Sequence, residues 1–380
     1  MTNAIVDPIL KRGFYQVGDQ KYISKFQAIM ASSRTGMFPE WNFNDEIFTS
    51  CDWIHEPKET LWDLYRQRAQ QIRDQYDYVV LLFSGGSDST NILQSFLFNN
   101  IKIDEIFCFG PFSSDSNQLT LSKNPESVVR EIDVVALPYL NELAKTHKFK
   151  VTLYDWTNDV ATGYQSADWI WTDVSTRFSP NNVGRNKIFE HSTSARKQYE
   201  MGRTVAFVTG IDKPRVLLKN NEYYYAFLDY FTSLGTGSKS LIEGKSWFVD
   251  ELFYWTPDLP QIVIKQSHVI KNFFLNNPNL KYIVDGSDLN SWQYRQQYTD
   301  TITSLIYPYW NPKTPQADKP SKIGFVELDN WFMNRPDLQS YKHWAAGIQE
   351  AKKIIPSIWL DSKPNDIKLV GSWSKWYKIG

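Results

Sequence analysis

The sequence predicts an α/β protein with a doubly wound parallel sheet, followed by a mostly helical C-terminal region. Two observations predict the sheet. Short apolar runs alternate with helical stretches from about residue 76 to residue 218, and that alternation implies parallel strands joined by helical crossovers on both faces. One run, YVVLLF at 78–83, ends in SGGSDS, which turns at two glycines and opens a helix. A third observation predicts the C-terminal region: beyond about Leu218 the alternation fails, and residues 219–380 are rich in Trp, Tyr, Asn and Pro. Three segments follow, an N-terminal helical extension (1–75), a ligand-binding domain (76–218) and a helical substrate or lid region (219–380).

The elements are justified in chain order. Residues 21–31 carry a short helical pattern, and 59–76 an amphipathic one with Leu61, Leu64, Tyr65, Ala69 and Ile72 on one face. Tyr78–Phe83 is continuously apolar, as a strand buried on both faces requires. Residues 87–99 are helical with Ile92, Leu93, Phe96 and Leu97 on one side. Strands are predicted at 104–109 (DEIFCF), 150–154 (KVTLY) and 204–209 (TVAFVT), with helices at 126–148 and 186–202. In the last region helices are predicted near 260–275 and 341–355.

Composition bounds the function. The 380 residues carry a formal charge of −1, so no global field favours nucleic acid or an anionic membrane. No apolar run approaches the ~18 residues of a membrane-spanning helix, and MTNAIVDPILKRGFYQVG lacks the apolar core of a secretory signal. With only Cys51 and Cys108 present, nothing points to an oxidising compartment or a disulfide-linked partner, and a cytoplasmic location is expected.

In a doubly wound sheet, ligands bind beyond the carboxyl ends of the strands. Gly85 and Gly86 lack a Cβ, so the chain can turn sharply and an anion can approach the backbone. The amides of Gly86, Ser87 and Asp88 would then stand at the positive end of a helix dipole, with hydroxyls from Ser84, Ser87, Ser89 and Thr90 around them. This is a phosphate cradle, and neither a Walker A loop nor a GxGxxG turn. Asp88 beside a phosphate is repulsive unless a divalent cation lies between them, and Mg²⁺ ordinarily takes one or two carboxylates plus phosphate oxygens. The alternative is that Asp88 merely caps the helix.

SGGSDS resembles the PP-loop motif SGGxDS of the N-type ATP pyrophosphatase superfamily. Members include the synthetase domain of asparagine synthetase, GMP and NAD synthetases, tRNA thiolation enzymes and phosphoadenosine-phosphosulfate reductase. The resemblance covers the loop and extends over about residues 76–218. It implies a five-stranded parallel sheet of the adenine nucleotide alpha hydrolase type and cleavage of ATP to AMP and pyrophosphate through an adenylated intermediate. Carried over, Ser84, Gly85, Gly86, Ser87, Asp88 and Ser89 would hold pyrophosphate, with Asp88 on Mg²⁺, and the strand end at Phe107–Gly110 would meet adenine. VTGIDKPR at 208–215 is similar to a TG-containing turn of several members. It implies Gly210 as a point of close substrate approach, Asp212 as a second Mg²⁺ ligand, and Lys213 or Arg215 as a phosphate partner. The alternative there is an ordinary loop closed by Pro214.

Two absences narrow the chemistry. Two isolated cysteines cannot form a four-ligand zinc site, and KLVGSWSKWYKIG lacks the terminal cysteine of the reductase. The chain begins Met-Thr, without the N-terminal cysteine of a glutaminase domain, so nitrogen for an amide would come from ammonia, an amine or a separate subunit. The expected function is an adenylating ligase of the asparagine synthetase type, with ATP, Mg²⁺ and an unidentified acceptor as its ligands. The alternatives are a tRNA or nucleobase modification enzyme using the same activation, and a non-catalytic nucleotide-binding module. The nucleic-acid alternative rests on residues 180–219, where eight Lys/Arg face three acids. His191, in the same stretch, is expected to be structural.

Overall fold

The structure, a computed structural model, describes residues 10–110, 132–211, 213–229, 247–285, 292–310, 327–363 and 366–380. At its centre is a five-stranded sheet, all parallel, in the spatial order Val249–Leu252, Val205–Thr209, Tyr78–Leu82, Glu105–Gly110, Lys150–Asp155. By chain order this is 5-4-1-2-3, so the order reverses at Tyr78–Leu82. The carboxyl end of that strand is a topological switch point, where open α/β sheets place ligands.

The period-2 geometry of a strand sorts the first strand's side chains into two cores. Val79, Leu81 and Phe83 pack on one face with the helices Leu61–Gln75, Ser87–Leu97, Gln261–Asn276 and Trp292–Ile306. Val80 and Leu82 pack on the other with Asn182–His191, Thr193–Glu200, Gln339–Ile354 and Lys25–Thr35. Both faces are therefore covered, which is why YVVLLF reads as a continuous apolar run. The helix Leu61–Gln75 starts at a reciprocal cap, in which Thr60 Oγ1 accepts from Asp63 N–H and Asp63 accepts from Thr60 N–H.

The fifth strand, Val249–Leu252, lies in the stretch read from sequence as helical. Its sequence is VDEL, and both acids are buried. Asp250 accepts from Thr209 Oγ1 at 3.0 Å and sits 3.1 Å from Arg12 Nη1, while Glu251 pairs with Arg68 at 2.5 Å. These distant partners make a charged strand tolerable inside the protein. The N-terminal extension, expected to be helical, also contains a three-stranded antiparallel sheet (Phe14–Val17, Gln20–Tyr22, Glu40–Asn42). The helix expected at 186–202 is two helices, Asn182–His191 and Thr193–Glu200, which meet at Ser192, where ψ is +59°. The expected helix at 126–148 appears as a π-helical turn Ile132–Ala136 and the helix Leu137–Leu143, its first residues lying outside the described ones.

The C-terminal region adds helices and a second three-stranded antiparallel sheet, Val216–Lys219, Glu222–Tyr225 and Tyr377–Ile379. Its hairpin turns on Asn220 and Asn221 at φ of 51° and 61°, the left-handed pair that a two-residue turn demands. A fully buried ion pair, Lys25 Nζ to Asp229 Oδ2 at 2.6 Å, ties two distant segments together. Asp229 also accepts from Tyr15 Oη at 2.8 Å and from Ser372 N–H at 3.0 Å. Among the described residues, no helix is long and apolar enough to cross a membrane.

Candidate functional site

The loop after the first strand has the shape its glycines foretell. Gly85 sits at φ +76°, and a Cβ there would stand 3.1 Å from both Cβ and N of Ala136. Gly85 is thus required twice, for a left-handed conformation and for close passage of the π-helical turn. Gly86, at φ −77° and ψ 167°, is the N-cap of the helix Ser87–Leu97, and no side chain caps that end. The first-turn amides of Ser87, Asp88 and Ser89 have no intrahelical acceptor, so this helix start suits an anion.

The hydroxyls divide into two sets. Ser89 Oγ donates to Gly86 O at 3.2 Å and Thr90 Oγ1 to Gly85 O at 3.5 Å, both from buried positions, so these two brace the loop. Ser84 Oγ accepts from Gly86 N–H at 3.4 Å, and Ser87 is half-buried.

Asp88 is clamped from three sides. Lys213 Nζ donates to both carboxylate oxygens at 2.8 Å, and the Tyr307 hydroxyl donates to Oδ1. The Tyr254 hydroxyl donates to the backbone carbonyl of Asp88 at 2.8 Å and itself accepts from Asn91 Nδ2 at 2.9 Å. The rings of Tyr254 and Tyr307 lie 5.6 Å apart, with Tyr65 5.5 Å from Tyr254. Burial first, and then the negative charge of Asp88, push the Tyr307 phenol well above its ordinary pKa. Burial leads in raising Tyr254 as well. Both remain hydroxyl donors wherever the fold persists.

Strand ends supply most of this constellation. Ser84–Asp88 follow the first strand, Gly210 and Lys213 the fourth, and Tyr254 stands two residues beyond the fifth. A Cβ on Gly210 would lie 3.1 Å from Ile92 Cδ1 and 3.2 Å from Asp88 Cβ, so this glycine lets the fourth strand's turn abut the helix start and brings Lys213 onto Asp88. Gly110 closes the second strand, and its carbonyl accepts from Trp156 N–H at 3.2 Å. Asp212 lies outside the described residues.

The basic stretch at 180–219 largely finds internal partners. Lys187 pairs with Asp159 at 2.6 Å, Arg196 with Glu200 at 3.0 Å, and Arg203 Nη1 donates to Gln198 Oε1 at 2.5 Å. His191 stacks on Tyr154 with ring centroids 4.0 Å apart. A surface groove of about 940 Å³ runs along the polar face of Leu61–Gln75 with Asn99 and Ile101, and no strand-end residue of the sheet lines it.

Sequence reasoning found the loop, Gly210 and Lys213. Tyr254, Tyr307 and Asn91 carry no motif, and Tyr65 reads from sequence only as part of a helix face. Tyr307 is 219 positions from Asp88, and a lone tyrosine at a helix end carries no local signal of that contact. Among the described residues no group of three or more His, Cys, Asp or Glu gathers as a metal site, so a cation here would rest on Asp88 and on its ligand's own oxygens. No protein-family model matches the chain, and no curated protein matches it either.

Proposed function

We propose that the protein is an ATP-dependent adenylating ligase that cleaves ATP to AMP and pyrophosphate, activating an acceptor oxygen for attack by a nitrogen nucleophile. The observation that carries this reading is the uncapped start of Ser87–Leu97, after a left-handed Gly85, at the switch point of the sheet. Its donor set fits a polyphosphate: first-turn amides, the half-buried Ser84 and Ser87, and Lys213 close by. A single carboxylate beside that cradle fits Mg²⁺, which readily completes its shell with phosphate oxygens. Asp88 would hold the ion, which when bound neutralises charge on the pyrophosphate leaving group.

The chain's own residues do the remaining work by position. The loop amides bind and orient the phosphates and stabilise charge as it develops on the leaving oxygen. Ser89 and Thr90 hold the loop in shape from beneath, and Tyr254 fixes the backbone of Asp88. The acceptor is expected over the same edge, where the C-terminal region delivers Tyr254 and Tyr307. ATP supply and two free cysteines, Cys51 and Cys108, suit a cytoplasmic setting.

The test is product analysis. α-Labelled ATP is incubated with the protein and panels of carboxylates, amines, nucleotides and tRNA, and labelled products are separated by chromatography. Acceptor-dependent AMP with stoichiometric pyrophosphate is expected, and both should be lost in Asp88→Asn and Gly86→Val. ADP as the sole labelled product would overturn the reaction assignment. ATP binding with no acceptor-dependent cleavage across the panels would favour a nucleotide-binding module.

A further inference from the structure

Lys213 is the unexpected member of the site. From sequence it is a partner for phosphate, yet its ammonium donates to both oxygens of Asp88 at 2.8 Å, with its side chain only 10% exposed. The same carboxylate is the group that a divalent cation would take. The ammonium engages both oxygens, and two cations against one small carboxylate repel each other, so a metal binding there competes with the lysine and favours its departure. The surroundings permit that move. The lysine's backbone is anchored, because Tyr298 Oη donates to the Pro214 carbonyl at 2.6 Å and accepts from Val216 N–H at 2.9 Å. Its four-methylene stem is flexible and ends in a compact point charge. The uncapped amides of Ser87 and Asp88 belong to the turn that carries the carboxylate, so phosphates bound there lie within reach of a lysine released from Asp88.

We propose that Lys213 is an exchangeable internal cation. It neutralises Asp88 in the nucleotide-free protein and passes to the nucleotide's phosphates when a divalent cation takes the carboxylate. This rests on the nucleotide reading above and deepens it, because it makes metal and nucleotide bind together while metal alone is excluded. Tyr307 stays on Oδ1 and keeps the carboxylate oriented through the exchange, as a positioning residue.

The experiment titrates Mn²⁺ by electron paramagnetic resonance, without nucleotide, into the wild type and into Lys213→Met, which keeps the stem and removes the charge. The variant is expected to bind Mn²⁺ at least tenfold more tightly, since charge-assisted bonds to Asp88 no longer have to be broken. Asp88→Asn in the Lys213→Met background is expected to abolish that gain, which ties it to the carboxylate. By calorimetry, Lys213→Met is expected to bind ATP at least tenfold more weakly than the wild type in the presence of Mg²⁺. Where Lys213→Met fails to fold by circular dichroism, Lys213→Gln takes its place. In Tyr307→Phe, a loss of Mn²⁺ affinity measured with a non-hydrolysable ATP analogue, without loss of thermal stability, is expected. Unchanged Mn²⁺ binding on removal of the lysine charge, including no detectable binding in either protein, with ATP binding intact, overturns the exchange and leaves the nucleotide reading standing. Absence of ATP binding in the wild type overturns that reading and, with it, the inference built on it.

Discussion

Gly85→Ala tests the cradle's geometry directly. Gly85 has φ +76°, a region that costs an L-residue about 1–2 kcal/mol. The added Cβ would stand 3.1 Å from the nitrogen and Cβ of Ala136. These Ala136 atoms are backbone or a short side chain held in a π-helical turn, so relief requires a main-chain shift. Overpacking of this kind costs about 1–3 kcal/mol, and loss of glycine's freedom in the unfolded chain returns about 0.4–1 kcal/mol. Near the centre of these ranges the variant loses about 3 kcal/mol. The assay is urea unfolding followed by tryptophan fluorescence, with Gly86→Ala as control, because Gly86 at φ −77° needs no left-handed backbone. Gly86→Ala is expected to lose under about 1 kcal/mol, the scale of an altered N-cap. Should the two variants unfold at the same urea concentration, or Gly85→Ala lose less than about 1 kcal/mol, the left-handed turn and its contact with Ala136 would be refuted.

Three further outcomes are expected. Tyr254→Phe leaves Asn91 Nδ2 and the Asp88 carbonyl without their partner, for a loss of about 1–3 kcal/mol in chemical unfolding; an unchanged midpoint would show that neither bond matters. Lys25→Met removes the cation that balances the buried Asp229 carboxylate, and a loss of about 3–5 kcal/mol is expected by the same measurement; the double variant Lys25→Met, Asp229→Leu should recover part of it. Burial pushes the Cys108 thiol up to about 12, so alkylation at pH 8 should spare it until the protein unfolds. Because its folded pKa lies above the unfolded one, its contribution is fully present below pH ~9 and is lost as pH rises toward 12; stability should decline above pH ~9, and less so in Cys108→Ala.

The first four strands were legible because each is a short apolar run between helical stretches, and burial on both faces forces that composition. The fifth was not. VDEL reads as a polar link, and it becomes a strand only because Arg12, Arg68 and Thr209, distant in sequence, meet its acids. The hairpin VLLKNNEYYY was missed by the mostly helical reading of residues 219–380, although two asparagines are among the few residues that accept successive left-handed angles. The site divides in the same way. SGGSDS is local, and so a motif betrays it. The clamp on Asp88 joins positions 125, 166 and 219 residues away, through contacts that no spacing in the sequence announces.

That division bears on how acceptor choice would be built in the proposed ligase. The proposed phosphate cradle is made within one turn of chain, but its carboxylate answers to three other segments. Lys213 comes from the turn after the fourth strand, Tyr254 from the end of the fifth, and Tyr307 from the residue after Trp292–Ile306. Tyr254 and Tyr307 are fully or nearly fully buried, so neither can wall a pocket by itself. Their contribution is to couple the packing of the C-terminal region to the orientation of Asp88. A substrate that shifts Tyr307 changes a charge-assisted bond to the carboxylate, and one that shifts Tyr254 changes the bond to the backbone carbonyl of Asp88, because hydrogen bonds weaken steeply with distance and angle. Acceptor binding over this edge would then be felt at the cradle through Tyr254 and Tyr307, without any residue of the loop touching the acceptor.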